Sequence, residues 1–142
     1  MSAGPNTSTG YSGTPLVRKL GFKAGLRVHY VAAPDEFDAL VGELPYDVRV
    51  LARPAAELDL VVLFVLSRAE LDRRLGGLHA RLRQDGMLWV AWPKRASRVP
   101  TDITENVVRD VALPRGLVDV KVCAIDATWS GLKLVIRREL RA

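Results

Sequence analysis

Basic and hydroxyl side chains cluster in the segment that follows a tryptophan late in the chain. Trp92 is followed by Lys94, Arg98 and Thr101, and a helix is predicted to begin directly after them. Lysine, arginine and hydroxyl groups beside a helix N-terminus are donors that can hold a small anion. Trp92 could stack on a flat ligand, or it could line the face of a sheet while the basic loop is solvated. The segment is therefore the first candidate for a binding site.

Further hydroxyl and aromatic side chains are expected near the same place. Ser67 follows a buried strand, Trp129 lies in a short hairpin turn, and Ser12 and Thr14 precede the first helix. If the N-terminal segment Tyr11–Leu16 folds back over the carboxyl edge of the sheet, it could meet Trp92-Pro93-Lys94 and the Trp129 hairpin and form one pocket. This single pocket is a hypothesis for the structure to test.

The remaining reactive residues form no catalytic or metal-ligating set. His29 and His79 are far apart in the sequence, and neither has a nearby Ser, Cys or Asp arranged as a triad. Cys123 is the single cysteine and lies within a predicted strand, where we expect it to pack as a small buried apolar side chain. We therefore predict structural roles for all three residues, with no metal and no catalytic residue.

The elements that must position the candidate residues alternate between strands and helices. Strands are predicted at 26–32, 48–52, 58–66, 87–92, 118–125 and 131–138, and helices at 14–20, 36–42, 67–82 and 102–113. The almost continuous apolar run at 58–66 is typical of a strand buried on both faces of a parallel sheet. The short connection between the last two strands favours an antiparallel hairpin.

This pattern predicts a three-layer, Rossmann-like α/β domain at 13–142, after a flexible tail at 1–12. Its mostly parallel sheet of about six strands has helices on both faces and ends in the antiparallel hairpin. The layout resembles class I methyltransferases with one strand and its helix missing, in which the last strand inserts beside Met87–Trp92. Ligands of such sheets bind at the carboxyl ends of the strands, where we place the candidate residues.

The turn after the first strand lacks the glycines of a nucleotide or S-adenosylmethionine site. It reads Ala32-Ala33-Pro34-Asp35-Glu36. Glycine allows a tight turn and lets a cofactor approach the backbone, whereas Pro34 removes a donor. Asp35 and Glu36 place negative charge where a phosphate would lie, and Arg53 stands where an acid would hold a ribose. We therefore predict no standard cofactor.

Composition leaves a few broader expectations. The formal net charge is +5, but the charges are spread out and no aromatic platform interleaves with them, so we do not expect a nucleic-acid partner. No apolar run approaches the roughly 20 residues of a membrane span, and the polar N-terminus carries no secretion signal, which favours the cytoplasm. An exposed edge strand at 48–52 could pair across a two-fold axis in a homodimer.

Three stretches carry a resemblance to a known family. They are Tyr11–Leu16 with Lys19–Gly21, Trp89–Lys94, and Asp119–Ala124 with Thr128–Lys133. In these, the chain resembles DUF3052, a family of small bacterial proteins of unknown function, over about residues 11–138. The resemblance implies a Rossmann-like fold and a cytoplasmic bacterial protein, and it supplies neither an activity nor catalytic residues.

Three functions remain open at this point. We predict first a non-catalytic binding or regulatory module that holds a small anion or a protein partner at the carboxyl edge of the sheet. The alternative is a divergent methyltransferase-like enzyme that lacks the glycine-rich motif and uses Lys94, Arg98 and nearby hydroxyls. The second alternative is a nucleic-acid-binding protein.

Overall fold

The computed structural model describes residues 14–141. The strands are β1 (Arg27–Val31), β2 (Arg49–Leu51), β3 (Leu58–Phe64), β4 (Leu82–Pro93), β5 (Leu117–Ala124) and β6 (Trp129–Ile136). The helices are α1 (Leu16–Lys19), α2 (Phe37–Val41), α3 (Arg68–Arg81) and α4 (Glu105–Ala112). The predicted tail at 1–12, and Ser12 with it, lies outside the described residues.

All six strands form one sheet in the order β2-β1-β3-β4-β6-β5. The first four run parallel, and β6 inserts antiparallel between β4 and β5. This confirms the predicted hairpin and the predicted place of its last strand beside β4. The strand order reverses between β1 and β3, so the carboxyl ends of these two strands flank the switch point of the sheet.

One face of the sheet, the α3/α4 face, is covered by the two longest helices. Ser67 caps α3, because its hydroxyl oxygen accepts a hydrogen bond from the Glu70 backbone N–H at 3.2 Å. Leu71, Leu75 and Leu78 of α3 then point into the core, as their spacing predicts. Burying one such leucine stabilises the fold by about 1.5–3 kcal/mol.

The opposite face, the α1/α2 face, is covered by two helices of only four and five residues. Trp89 of β4 is fully buried there, and its indole N–H donates to the Leu20 carbonyl oxygen at 2.9 Å. Phe37 of α2 packs edge-on against Phe64 of β3, with ring centroids 5.0 Å apart. Large aromatic side chains therefore supply the contact area that these short helices lack.

The structure corrects the predicted start of β4. The strand begins at Leu82, directly after α3, and not at Met87 after a turn. Gly86 lies inside the strand, at a shift in its register with β3. A Cβ on Gly86 would lie 2.8 Å from the Leu82 side chain and 3.0 Å from the Leu58 carbonyl oxygen, so this glycine serves close approach and makes no turn.

Two predicted helix starts are also wrong. Helix α1 begins at Leu16, two residues later than predicted, and Pro15 at its N-cap position makes no side-chain hydrogen bond. Helix α4 begins at Glu105 with Thr104 as its cap, three residues later than predicted. Asp102 is instead held outside the helix, because its carboxylate accepts a hydrogen bond from the Arg68 backbone N–H at 2.7 Å. Among residues 14–141, no helix is long and apolar enough to cross a membrane.

Candidate functional site

The switch point at the end of β1 is the place where this type of sheet usually holds a cofactor. Ala32 there has φ of 58°, in the left-handed region that favours glycine. The following helix, α2, has five residues, and both Asp35 and Glu36 before it are exposed. The backbone thus keeps a glycine-type turn, but it carries a methyl group on the turn and two carboxylates beside it. These residues do not fit the standard S-adenosylmethionine loop.

A cavity lies at the carboxyl end of β4, where the sequence predicts a site. Its volume is about 470 Å³. It is formed by the loop between β4 and α4, the first turn of α4 and the start of β6. Its cationic lining consists of Lys94, Arg95 and Arg98, and Thr104, Glu105 and Ser130 add polar groups.

The β4–α4 loop, residues 94–104, is tied to the sheet at both ends. The Lys94 backbone N–H donates to the Thr128 carbonyl oxygen at 2.7 Å, which joins the loop to the hairpin. At the other end, the Thr101 hydroxyl donates to the Leu66 carbonyl oxygen at 2.6 Å. The Asp102 bond to the start of α3 adds a further anchor. These hydrogen bonds hold the backbone of the loop, and with it the basic side chains, in one position relative to the sheet.

The charges around this cavity do not cancel. Glu105 is the one carboxylate among the described residues that line the cavity, and it forms an ion pair with Arg109 of the same helix. Arg109 also bonds Asp119 of β5 at 2.8 Å, and this hydrogen bond holds the pKa of the Asp119 carboxyl below its usual value. Because Glu105 is already paired, the three basic side chains make the cavity attractive to an anion.

The structure separates the predicted site residues. Trp92 lines the cavity but is only 7 % exposed and belongs to the core on the α3/α4 face. Trp129 packs against Phe64 on the opposite face, with ring centroids 5.0 Å apart. The two tryptophans therefore pack on opposite faces of the sheet, and the single pocket stays a prediction because Ser12 lies outside the described residues.

The predicted hydroxyl groups have mainly structural roles. Ser67 caps α3, and Thr101 both donates to the Leu66 carbonyl and accepts from the Ile103 N–H at 3.0 Å. Thr101 still lines the cavity, whereas Ser67 does not belong to the lining. Thr14 is half-buried just before α1 and lies outside this lining. The structure brings four predicted residues together in this cavity: Trp92, Lys94, Arg98 and Thr101.

The histidine and cysteine side chains are consistent with the structural roles predicted for them. His29 is buried in β1, and its ring Nδ1 lies 2.8 Å from the Leu51 carbonyl oxygen of β2. Burial raises the pKa of the Cys123 thiol, which disfavours the reactive thiolate. Within residues 14–141, no three His, Cys, Asp or Glu side chains come together as a metal site.

Sequence reasoning missed two features of the site. The first is Arg109, which forms ion pairs with both Glu105 and Asp119 and so links α4 to β5; its spacing of four residues from Glu105 was the available signal. The second is the left-handed residue Arg98, with φ of 63°, which ends the short 3-10 turn Arg95–Ser97. An arginine gives no local signal for this conformation, since glycine or asparagine usually marks it.

No family model and no curated protein match this chain. Solved structures do match. The S-adenosylmethionine-dependent methyltransferase of Aquifex aeolicus is 17% identical, with a TM-score of 0.59 over 85% of this chain and 87% of that one. The ribosomal protein L11 methylase of Lactobacillus delbrueckii subsp. bulgaricus is 14% identical, with a TM-score of 0.55 over 87% and 76%.

A third match is the fibrillarin of Aeropyrum pernix, in complex with natively bound S-adenosyl-L-methionine. It is 13% identical, with a TM-score of 0.56 over 89% of this chain and 70% of that one. At such identities the likeness concerns the fold and not the activity. The chain therefore has the predicted truncated, Rossmann-like methyltransferase fold.

Proposed function

We propose that this chain is a binding module, on a methyltransferase-like fold, that holds a small anion in the cavity at the carboxyl end of β4. One observation carries the proposal: Lys94, Arg95 and Arg98 line a cavity whose one lining carboxylate is already paired. Charge-assisted hydrogen bonds from such groups are roughly twice as strong as neutral ones. A phosphate, a sulfate or a carboxylate group fits this chemistry.

Methyl transfer from S-adenosylmethionine is the second candidate. The solved structures favour it over a non-catalytic module, since the matches named above are methyltransferases or hold that cofactor. The left-handed conformation of Ala32 favours it as well, because glycine is the residue that usually adopts such a φ in a tight turn. We rank it second because the residues at the end of β1 do not fit the cofactor.

A calorimetric titration tests the first proposal. The purified protein is titrated with phosphate, sulfate and acetate at low ionic strength, beside Lys94→Gln and Arg98→Gln. Losing one charge-assisted hydrogen bond costs about 1.5–3 kcal/mol, which corresponds to roughly a 10- to 150-fold weaker Kd. Arg73→Gln, on an exposed position of α3, is the matched control and should leave the Kd within about twofold. Equal affinities for all four proteins would rule the cavity out.

Thermal unfolding of the same protein, with and without ligand, distinguishes the methyl-transfer candidate from the anion-binding proposal. A ligand that binds only the folded state raises Tm. At a concentration of 100 Kd it adds about 2.7 kcal/mol to the free energy of unfolding. We expect phosphate or a carboxylate to raise Tm and S-adenosylmethionine to leave it unchanged. A rise with S-adenosylmethionine that Arg98→Gln does not alter would instead show a cofactor site apart from this cavity and favour the methyl-transfer candidate.

A further inference from the structure

Two lysines face each other on the last hairpin, at a distance from the cavity already described. Lys121 of β5 and Lys133 of β6 are direct partners in the register of these strands. Lys133 is also paired with Trp89 of β4, which places it on the α1/α2 face. Like charges directly opposite each other on neighbouring strands destabilise a sheet. This pair therefore breaks a rule that most sheets obey.

The surroundings add more positive charge to the pair. Lys133 is half-buried, and burial lowers the pKa of its ammonium group; the charges of Lys121 and Lys23 lower it further. Lys19, at the end of α1, donates to the Ala124 carbonyl oxygen at 3.3 Å and so lies over the same hairpin. These four residues (Lys19, Lys23, Lys121 and Lys133) are called the lysine cluster below.

A cavity of about 420 Å³ adjoins the lysine cluster at the amino ends of β3 and β4. Lys23 and Lys133 line it together with Arg141. Two carboxylates, Asp59 and Asp85, also belong to the lining.

Both carboxylates are already engaged by another group. Asp59 and Asp85 lie 3.3 Å and 3.8 Å from the Arg83 guanidinium nitrogen. Asp59 also accepts a hydrogen bond from the Arg27 backbone N–H at 2.8 Å. Arg83 is shared by these two carboxylates and Glu57, so it cannot neutralise them alone. Among the described residues, the three cations of the lining (Lys23, Lys133 and Arg141) still outnumber its two carboxylates, on the edge of the sheet opposite to the β4–α4 loop.

We propose that the lysine cluster and its cavity form a second binding site, for a small molecule that carries a diphosphate or triphosphate group. The lysine ammonium group acts as a point charge that suits phosphate, whereas the planar guanidinium of arginine pairs with planar carboxylates through two parallel hydrogen bonds. Two lysines and Arg141 in the lining, with Lys19 and Lys121 on the adjoining hairpin surface, favour a ligand with several negative charges in a short length. A cavity of this size holds such a group with part of the molecule attached to it.

An NMR titration with ¹⁵N-labelled protein tests the site. Inorganic pyrophosphate and tripolyphosphate are added to the protein. Orthophosphate, which has a single phosphate group, is the control for recognition of a phosphate chain. We expect shifts at residues 19–23, 121–124 and 131–135, and a Kd at least tenfold lower for tripolyphosphate than for orthophosphate. Shifts confined to residues 94–104 would assign the ions to the first cavity and overturn this proposal, without affecting the first one.

Two variants separate binding from structure. Lys133→Gln should weaken tripolyphosphate binding at least tenfold, and Lys121→Glu should abolish it. Lys121→Glu should at the same time raise Tm, because it turns a like-charge pair into an opposite-charge pair. Arg73→Gln on α3 serves as the charge control and should change neither quantity. Unchanged tripolyphosphate affinity in a folded Lys133→Gln protein would overturn the assignment.

Two further titrations identify the ligand class. Equal Kd values for ATP and tripolyphosphate would support recognition of the phosphate chain, and tighter ATP binding with the same dependence on Lys133 would support a nucleotide as its source. A 20-nucleotide DNA strand that binds more tightly than tripolyphosphate, again through Lys133, would assign the surface to nucleic acid and overturn the small-molecule proposal.

Discussion

Ala32→Gly is expected to make the protein more stable. Ala32 has φ of 58°, and a left-handed conformation costs an L-residue about 1–2 kcal/mol. Glycine adopts this conformation without steric cost, but it loses about 0.5–1 kcal/mol more backbone entropy on folding. The balance is a gain of about 0.5–1 kcal/mol in the free energy of unfolding. For a chain of 142 residues, this raises Tm by about 2–4 °C.

Ala33→Gly is the matched control, one residue further along. Ala33 is half-buried and is not among the described residues with positive φ, so glycine there brings the entropic cost without relief. We expect it to lower the free energy of unfolding by about 0.5–1.5 kcal/mol, which includes the loss of a partly buried methyl group. Urea unfolding followed by far-UV circular dichroism measures both variants. Shifts of the two midpoints in the same direction would refute the reasoning about the β1 turn.

Three further outcomes follow from single contacts. Trp89→Phe should lower the free energy of unfolding by about 2–4 kcal/mol, because it leaves the Leu20 carbonyl without its donor and opens a cavity; a loss below about 1 kcal/mol would contradict this. Burial, with a smaller contribution from the Asp38 charge, raises the pKa of Tyr30 to about 12. Its absorbance at 295 nm should therefore change only near that pH, and its contribution to the free energy of unfolding should fall between pH 10 and 12. Tyr30→Phe should remove the absorbance change near pH 12. The Arg109 hydrogen bond lowers the pKa of Asp119. The contribution of Asp119 to the free energy of unfolding is therefore present above about pH 4 and is lost as the pH falls through the lowered pKa of the folded state. If the free energies of unfolding of Asp119→Asn and the parent protein differ by the same amount across that range, the linkage is excluded.

The sheet could be predicted from the sequence because its signals are local and strong. The apolar run at 58–66 is typical of a central strand, and its neighbours follow from the alternation of strands and helices. The errors lie where a distant group overrides a local preference. Asp102 resembles a helix cap in the sequence, but the Arg68 N–H competes successfully for its carboxylate. Gly86 resembles a turn glycine, but the close approach of β3 keeps it in a strand.

The candidate site could be predicted only in part for the same reason. Lys94 and Arg98 lie on one loop, so their proximity needs no knowledge of the fold. Which face of the sheet Trp92 and Trp129 occupy depends on the register between β4 and β6, in which Trp92 is paired with Ser130 and Trp129 with Pro93. That register is set by packing across the whole sheet and is not encoded near either tryptophan.

The anchoring of the β4–α4 loop has a kinetic consequence. Its bonds at Thr128 and Leu66 already hold the basic side chains in place, so an incoming anion orders little backbone and meets no slow closing step. Association should then be limited by diffusion and by attraction between charges, and it should slow steeply as salt is added. A slow first-order phase in stopped-flow traces would indicate instead that these anchors open before the anion enters.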